Sequence, residues 1–520
     1  MGDLGVYLAR SPAGPLPGWH PRDIGGKVRQ DTAVAGERAD FGGRLDLIQK
    51  ITLDVLARLE ETPRHATEEI ARAFKRGREL TSGEKAEILS RIHGILRSRR
   101  LLDYVLDESG PVPDSGSARL EARWFARELL DGRLTPSQAA AASPDVDWAR
   151  VLEIERRIAR IPDPARRLAL TGSLPDWLAA RLIAELGESE AFALAAAWSE
   201  PPPQTLRVNS LRLPREELAE RFRGVGLEVR ATEYAEDGLE LVSKRNVFRS
   251  PEFHDGLFEV QDEGSQLISQ LVAPPPGGLV LDACAGTGGK TLHLATLLRG
   301  KGRVVAVGVG AAGARQLEEL ARRAKRAGLH NVQPIAAVAE AADGAVGGRA
   351  APGDGADVEL YADPDTSADA ALVGDAAVPA GAAPFPPPLE KLRGKVDRVL
   401  IDAPCSGIGV FRRNPEARDR VTEESVQRLS SVQREILERF APFVKPGGRL
   451  IYATCSVLRA ENDDVVAAFL AAHPEFVVMP AKEILGKAAA ARIGDETCLR
   501  VFPHRQGADG FFGLVLRRTR

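Results

Sequence analysis

No stretch of the chain reaches the roughly 18 consecutive apolar residues that a membrane-spanning helix needs. The N-terminus also lacks a basic-then-apolar leader and has no Ser or Thr at position 6 to complete a myristoylation signal behind Gly2. A cytoplasmic location without a membrane partner is therefore expected. Cysteine is scarce too: Cys284, Cys405, Cys455 and Cys498 are the four, none in C-x-x-C spacing, which excludes a disulfide framework and a structural zinc site. No metal is expected, and the thiols stay available for chemistry. An excess of charge of one sign is the third absence. At a formal net charge of −3 there is no global footprint of nucleic-acid binding, so any RNA surface has to be a local concentration of arginine. What is present, 44% hydrophobic and 28% charged residues over 520 positions, suits ordinary globular cores in three or four domains.

Residues 1 to about 42 are rich in Gly, Pro and Arg without apolar periodicity and read as a mobile leader. From Leu45 the pattern turns helical: Ile48, Ile51, Val55, Leu56 and Leu59 fall on one face of a 3.6-residue period. Thr81-Ser82-Gly83-Glu84 is a capping-box pattern that starts a second helix through Ile88, Leu89, Ile92, Ile95 and Leu96. Between Ile88 and Leu102 stand Arg91, Arg97, Arg99 and Arg100 with no acid among them. Such a run usually faces water, and the alternative is contact with phosphates. Helical patterning continues to about residue 198, Pro175 suiting a first helical turn.

Glu200-Pro201-Pro202-Pro203 reads as a linker, and a mixed α/β segment follows to about 260. Four apolar strands, at 279–281, 303–307, 398–401 and 449–452, then alternate with amphipathic helices, the signature of a doubly wound, Rossmann-like parallel sheet. The expected division is a leader at 1–42, an all-α domain at 43–170, a small α/β connecting domain at 171–272 and the sheet domain at 273–520. Residues 336–389 break the rhythm with nine acids against one base, Arg349, and read as a solvated acidic insertion. Asp363-Pro364-Asp365 lacks the Gly turn and terminal Glu of a calcium loop.

Three motifs carry chemistry. In Leu281-Asp282-Ala283-Cys284-Ala285-Gly286-Thr287-Gly288-Gly289-Lys290 the glycines sit between a strand and a helix, where backbone approaches a ligand closely and helix N–H groups are free. The four-residue gap of a Walker A loop is missing and the glycine order fits a dinucleotide fingerprint poorly, which leaves a nucleoside-type cofactor. Cys405 in Asp402-Ala403-Pro404-Cys405 and Cys455 in Thr454-Cys455-Ser456 both end strands, on either side of a Lys445-Pro446-Gly447-Gly448 turn. One such cysteine is more often structural. Two on successive strand ends suggest thiol-dependent methyl transfer to a pyrimidine, because C5 of cytosine becomes nucleophilic only after a nucleophile adds at C6, and a thiolate both adds and leaves easily. Asp402 is placed to bond the polar edge of such a base. Cys284 and Cys498 lack this support and read as small packing residues.

Residues 173–520 resemble the RNA cytosine-5 methyltransferases of the Nol1/Nop2/Sun group, through Ser173–Leu178, Arg207–Leu211, Val260–Gln266, the glycine loop, Asp402–Gly407, Thr454–Ser456 and Asp509–Phe512. Residues 43 to about 170 resemble the NusB-like RNA-binding domain that precedes the catalytic half in 16S ribosomal RNA methyltransferases of the Sun/Fmu type. The resemblance implies that Cys455 is the nucleophile on C6, that Cys405 assists product release, and that Asp402 sits by base and cofactor. It implies S-adenosylmethionine as cofactor, held by Cys284, Ala285, Gly286, Thr287, Gly288, Gly289 and Lys290, and RNA as partner, with 16S ribosomal RNA ahead of transfer RNA. It also implies an acid after the second strand of the sheet to grip the cofactor ribose, yet none occurs between Gly302 and Leu317. A further family acid, near the adenine, corresponds to Asp375.

Overall fold

The computed structural model of the chain describes residues 41–61, 66–76, 80–242, 245–337 and 384–520, with side chains from Leu47 onward. The expected leader, apart from its last two residues, and most of the acidic insertion, including Arg349 and Asp375, lie outside the described residues.

The N-terminal part is helical. Its first helix, Phe41–Glu61, buries Ile48, Val55, Leu56 and Leu59, the stripe read from the sequence. The helix Ser82–Arg97 begins with the expected box: the Thr81 hydroxyl accepts from the Glu84 amide, and the Glu84 carboxylate accepts from the Thr81 amide. These helices, with Arg99–Asp107 and Ser117–Leu130, close around one apolar core that runs to Leu170. The helices Pro164–Thr171, Asp176–Leu186 and Glu188–Ser199 form another core. Pro175 caps the second of these rather than entering its first turn.

Four antiparallel strands, β1 (Gln204–Val208), β2 (Val229–Ala231), β3 (Gly238–Leu241) and β4 (Phe258–Val260), form a small sheet in the order β2-β3-β1-β4. The large sheet holds β5 (Leu279–Asp282), β6 (Arg303–Val309), β7 (Val332–Ala337), β8 (Val396–Asp402), β9 (Val444–Thr454), β10 (Phe476–Met479), β11 (Leu499–Val501) and β12 (Phe511–Arg518). Its order is β10-β12-β9-β8-β5-β6-β7, with β11 also on β12. Strands β5 to β9 are parallel; β12 runs antiparallel to β9, so a mixed edge extends the expected parallel sheet. Chain order reverses at β5, between β6 and β8, where an open α/β sheet leaves its ligand crevice. The Lys445–Gly448 turn is not a separate connection. It bulges out within β9, since Val396 pairs with Val444 while Arg398, two positions on, pairs with Arg449.

The arginine run is engaged within the protein, with Arg91 and Arg97 buried and Arg99 and Arg100 half-buried. Arg91 is buried against Glu128 and lies over the Trp124 ring, 5.4 Å from its centroid. Arg97 is buried and donates to the Arg412 carbonyl at 2.9 Å. Arg99 joins Glu60 at 2.9 Å and Asp419 at 3.2 Å; Arg100 binds Asp176 at 2.6 Å and the Leu174 carbonyl. Arg91 also pairs with Glu87, one turn earlier, at 2.6 Å, whereas the acids that Arg99 and Arg100 meet come from other segments of the chain. Fully buried Arg418 completes the joint, donating to the carbonyls of Arg97 (2.9 Å), Gly172 (2.8 Å) and Trp198 (2.6 Å). Burial, with the nearby Arg97 charge, pulls its pKa down to about 9. No helix among the described residues is long and apolar enough to cross a membrane.

Candidate active site

The register of the parallel strands assembles the site. Asp282 at the end of β5 lies beside Leu400 of β8, and Asp402 at the end of β8 lies beside Ala453 of β9. The glycine loop, the Cys405 turn and the Cys455 turn therefore leave three neighbouring strands on the same sheet edge. Fifty residues of separation collapse to contact: the Cys405 and Cys455 sulfurs are 3.2 Å apart, and both residues are 5% exposed. Asp402 accepts from the Lys290 ammonium at 2.6 Å, and that ammonium stands 5.2 Å from the centroid of the Phe511 ring. The three cysteine-side and loop residues named from sequence, Asp402, Cys405 and Lys290, thus share one rim with Cys455.

Backbone approach fixes the thiol turns. The Gly409 amide donates to the Cys455 carbonyl and the Gly510 amide to the Gly409 carbonyl, each at 2.9 Å. A Cβ on Gly409 would stand 2.3 Å from the Gly510 oxygen and 2.6 Å from that of Cys455, so only glycine fits. Beneath this contact Arg412 and Arg413 both donate to the Asp509 carboxylate, and Arg413 also reaches Asp262 at 2.8 Å. Burial alone would raise the Asp509 pKa, but the two guanidiniums outweigh it and hold the carboxyl below its ordinary range. The Asp262 and Asp509 motifs are thereby explained as a buried ionic support.

The glycine loop is held from behind. Arg207 donates to the Gly289 carbonyl at 2.7 Å, and Arg323 donates to both oxygens of Thr287, carbonyl and hydroxyl, at 3.0 Å each. Arg323 is in turn paired with buried Glu259 at 3.1 Å. Thr291 donates to Asp282 at 2.7 Å; burial of that carboxyl pushes its pKa up to about 6. Gly286 has φ +54°, and a Cβ placed on it would meet nothing within 4 Å, so the loop borders open space. An open glycine turn, the first amides of the helix Gly289–Leu297 and the carboxylate of Asp402 form a donor and acceptor set that suits S-adenosylmethionine, whose amino-acid end carries both charges. Behind β6 the backbone enters the helix Gly310–Ala327 directly and no carboxylate stands between Gly302 and Leu317.

Cys284 packs partly buried against the sheet core, and Cys498 is buried in it, its thiol pushed up to about 12 chiefly by burial. Among the described residues no group of three or more His, Cys, Asp or Glu side chains is arranged to hold a metal. Sequence reasoning gave no role to Arg323, Arg412, Arg413 or Glu461. The only signal for the last was its place shortly after the second cysteine, and its side chain is fully buried here.

A family model described as 16S rRNA methyltransferase RsmB/F matches residues 269–351 and 387–517, breaking within the acidic stretch, and a ferredoxin-like domain model of the RsmF/B-like methyltransferases matches residues 174–248. Among curated relatives, the probable ribosomal RNA small subunit methyltransferase B of Bacillus subtilis is 28% identical over 91% of this chain and 98% of its own length. Ribosomal RNA small subunit methyltransferase B of Xylella fastidiosa is 30% identical over 75% of this chain and 83% of its own. The crystal structure of PH0851 superposes with a TM-score of 0.64 at 25% identity, covering 91% of this chain and 99% of that one. A methyltransferase homolog protein from Pyrococcus horikoshii shares the fold, with a TM-score of 0.51 at 23% identity over 69% of this chain and 99% of that one.

Proposed function

We propose, since this chain belongs to the 16S rRNA methyltransferase RsmB/F family and so uses S-adenosylmethionine, that it methylates C5 of a cytosine in 16S ribosomal RNA, in the cytoplasm, through a covalent adduct at C6. The observation that carries this reading is the pair of buried thiols 3.2 Å apart at adjacent strand ends beside Asp402. A single nucleophile would need one cysteine; a second at contact distance suits a division between addition and release.

In this reading the target base leaves its stack to reach the rim. The Cys455 sulfur forms a bond to C6, and the electron pair displaced from the C5–C6 double bond makes C5 nucleophilic. Bound S-adenosylmethionine supplies an electrophilic methyl group. Asp402, steadied by Lys290, holds the polar edge of the base. Once C5 carries the methyl group, the Cys405 thiolate takes the C5 proton, the C5–C6 double bond re-forms, and the C6–S bond breaks to return the Cys455 thiolate. Residues 284–290 hold the cofactor, and Asp375 is the acid assigned to the adenine side. The helical region at 43–170 is assigned to RNA recognition, a role that favours ribosomal over transfer RNA.

The test is methyl transfer to unmethylated 16S ribosomal RNA and to transfer RNA, with the modified nucleotide mapped. 5-Methylcytosine in 16S ribosomal RNA is expected. Modification of transfer RNA alone, of another atom, or no transfer at all would overturn the reading.

A further inference from the structure

Glu461 is fully buried, and its carboxyl joins the two cysteine turns. One oxygen accepts from the Ser406 amide at 2.8 Å and from Gln433 at 3.1 Å; the other accepts from the Ser406 hydroxyl at 2.5 Å. The Ser406 hydroxyl also lies 3.4 Å from that of Ser456, which brings the second turn into the same cluster. Ser406 and Ser456 each directly follow one of the paired cysteines. The next residue completes the staple: Asn462 accepts from Thr454 at 2.6 Å and donates to the Ser456 carbonyl at 2.9 Å. The staple is itself anchored, since Tyr452 donates to the Glu461 carbonyl at 2.6 Å.

The arrangement distinguishes positioning from catalysis. The carboxyl is fully buried and three donors hold its oxygens, so it is not aimed at a substrate. A buried carboxyl is costly where an apolar residue would pack as well. Its return is geometric, because it ties the turn after β8 to the turn after β9, and a thiol misplaced by even 1 Å loses much of its reactivity. We propose that Glu461 is a positioning residue that sets the spacing of the two thiols, through Ser406 and Ser456, so that release by Cys405 can follow addition by Cys455. The proposal rests on the two-thiol reading above.

The test uses the full-length chain with unmethylated 16S ribosomal RNA transcribed in vitro and S-adenosylmethionine. Glu461→Gln keeps an oxygen but puts an amide where donors now converge; Ser406→Ala with Ser456→Ala cuts the same tie from the other side. Cys405→Ala serves as the reference. For both variants kcat is expected to fall at least tenfold, with KM for RNA and cofactor affinity within twofold. A denaturant-resistant protein–RNA band should rise toward that of Cys405→Ala, because addition survives while release does not. A folded variant of either kind with wild-type kcat, or one with reduced kcat and no added band while Cys405→Ala shows one, overturns the role of Glu461. Absence of the band from Cys405→Ala itself overturns the two-thiol reading and this proposal with it. If Glu461→Gln does not fold, the serine double variant decides the matter alone.

Discussion

The thiol rim and the arginine-bearing helices both carry polar groups bonded within the protein, but they are wired at different ranges. At the rim, Asp402, Cys405 and Ser406 are close neighbours in the chain, as are Thr454, Cys455, Ser456, Glu461 and Asn462, and strand register alone brings the two groups together. In the helices, Arg97 and Arg99 end on residues 315 and 320 positions away, and Arg418 binds the carbonyls of three separate segments. A motif on a parallel strand end announces its surroundings, because the fold class says what stands beside it. An arginine does not, because any remote carboxylate or carbonyl can claim it.

The contrast is broken most sharply by deleting one thiol. Cys455→Ala is expected to lower methyl transfer at least about a thousandfold while cofactor affinity, measured by calorimetry, stays within twofold. Residual turnover near the wild-type rate would remove the rim from the chemistry. On the other side, Arg418→Ala should cost about 3–5 kcal/mol in denaturant unfolding, since three buried carbonyls lose their donor. Arg97→Ala with Arg99→Ala and Arg100→Ala should likewise lower stability yet leave the salt dependence of RNA binding unchanged, because these guanidiniums are already engaged within the protein. A flattened salt slope would return them to the RNA surface.

Asp282 gives a finer test. Folded, it keeps its proton up to about pH 6, whereas the unfolded group releases it near 3.8. The folded state therefore binds the proton more tightly, and this carboxyl's contribution becomes less favourable as pH rises through that window. Asp282→Asn removes the titration and can still accept from Thr291. Its stability relative to wild type should rise between pH 4 and pH 7 by up to about 3 kcal/mol and be flat below pH 4. A pH-independent difference would contradict the buried, destabilised carboxyl. The smallest effect is expected from removing residues 341–370, which spares Asp375: methyl transfer should stay within about twofold, and RNA binding at low salt should hold or strengthen slightly as like charges are lost. Loss of cofactor binding would show that an acid of this stretch replaces the missing one behind β6.

Much of this was legible in the sequence, for reasons that differ by element. The stripe Ile48, Val55, Leu56 and Leu59, the Thr81 box and the cores of β5, β6, β8 and β9 follow from local periodicity and capping. The antiparallel edge was not legible, since β10, β11 and β12 are ordinary apolar segments whose direction is set by pairing with β9. The Lys445–Gly448 segment has turn chemistry, and only its pairing shows it as a bulge. At the site, the cysteines and Asp402 stood out by residue type and position, whereas Arg207, Arg323 and Glu461 act by holding backbone and hydroxyl groups of other segments. Nothing in a carboxylate or guanidinium's neighbours along the chain reveals such a partner.

The central claim, that Cys455 adds to C6 of the target cytosine, is tested most directly with 16S ribosomal RNA in which cytidine is replaced by 5-fluorocytidine. Fluorine at C5 cannot leave as the proton does, so the adduct should persist after one methyl transfer. Peptide mass spectrometry of that adduct is predicted to find the methylated fluoropyrimidine nucleotide on the peptide carrying Cys455. Attachment to Cys405, or no attachment under conditions in which the unmodified RNA is methylated, would contradict the account.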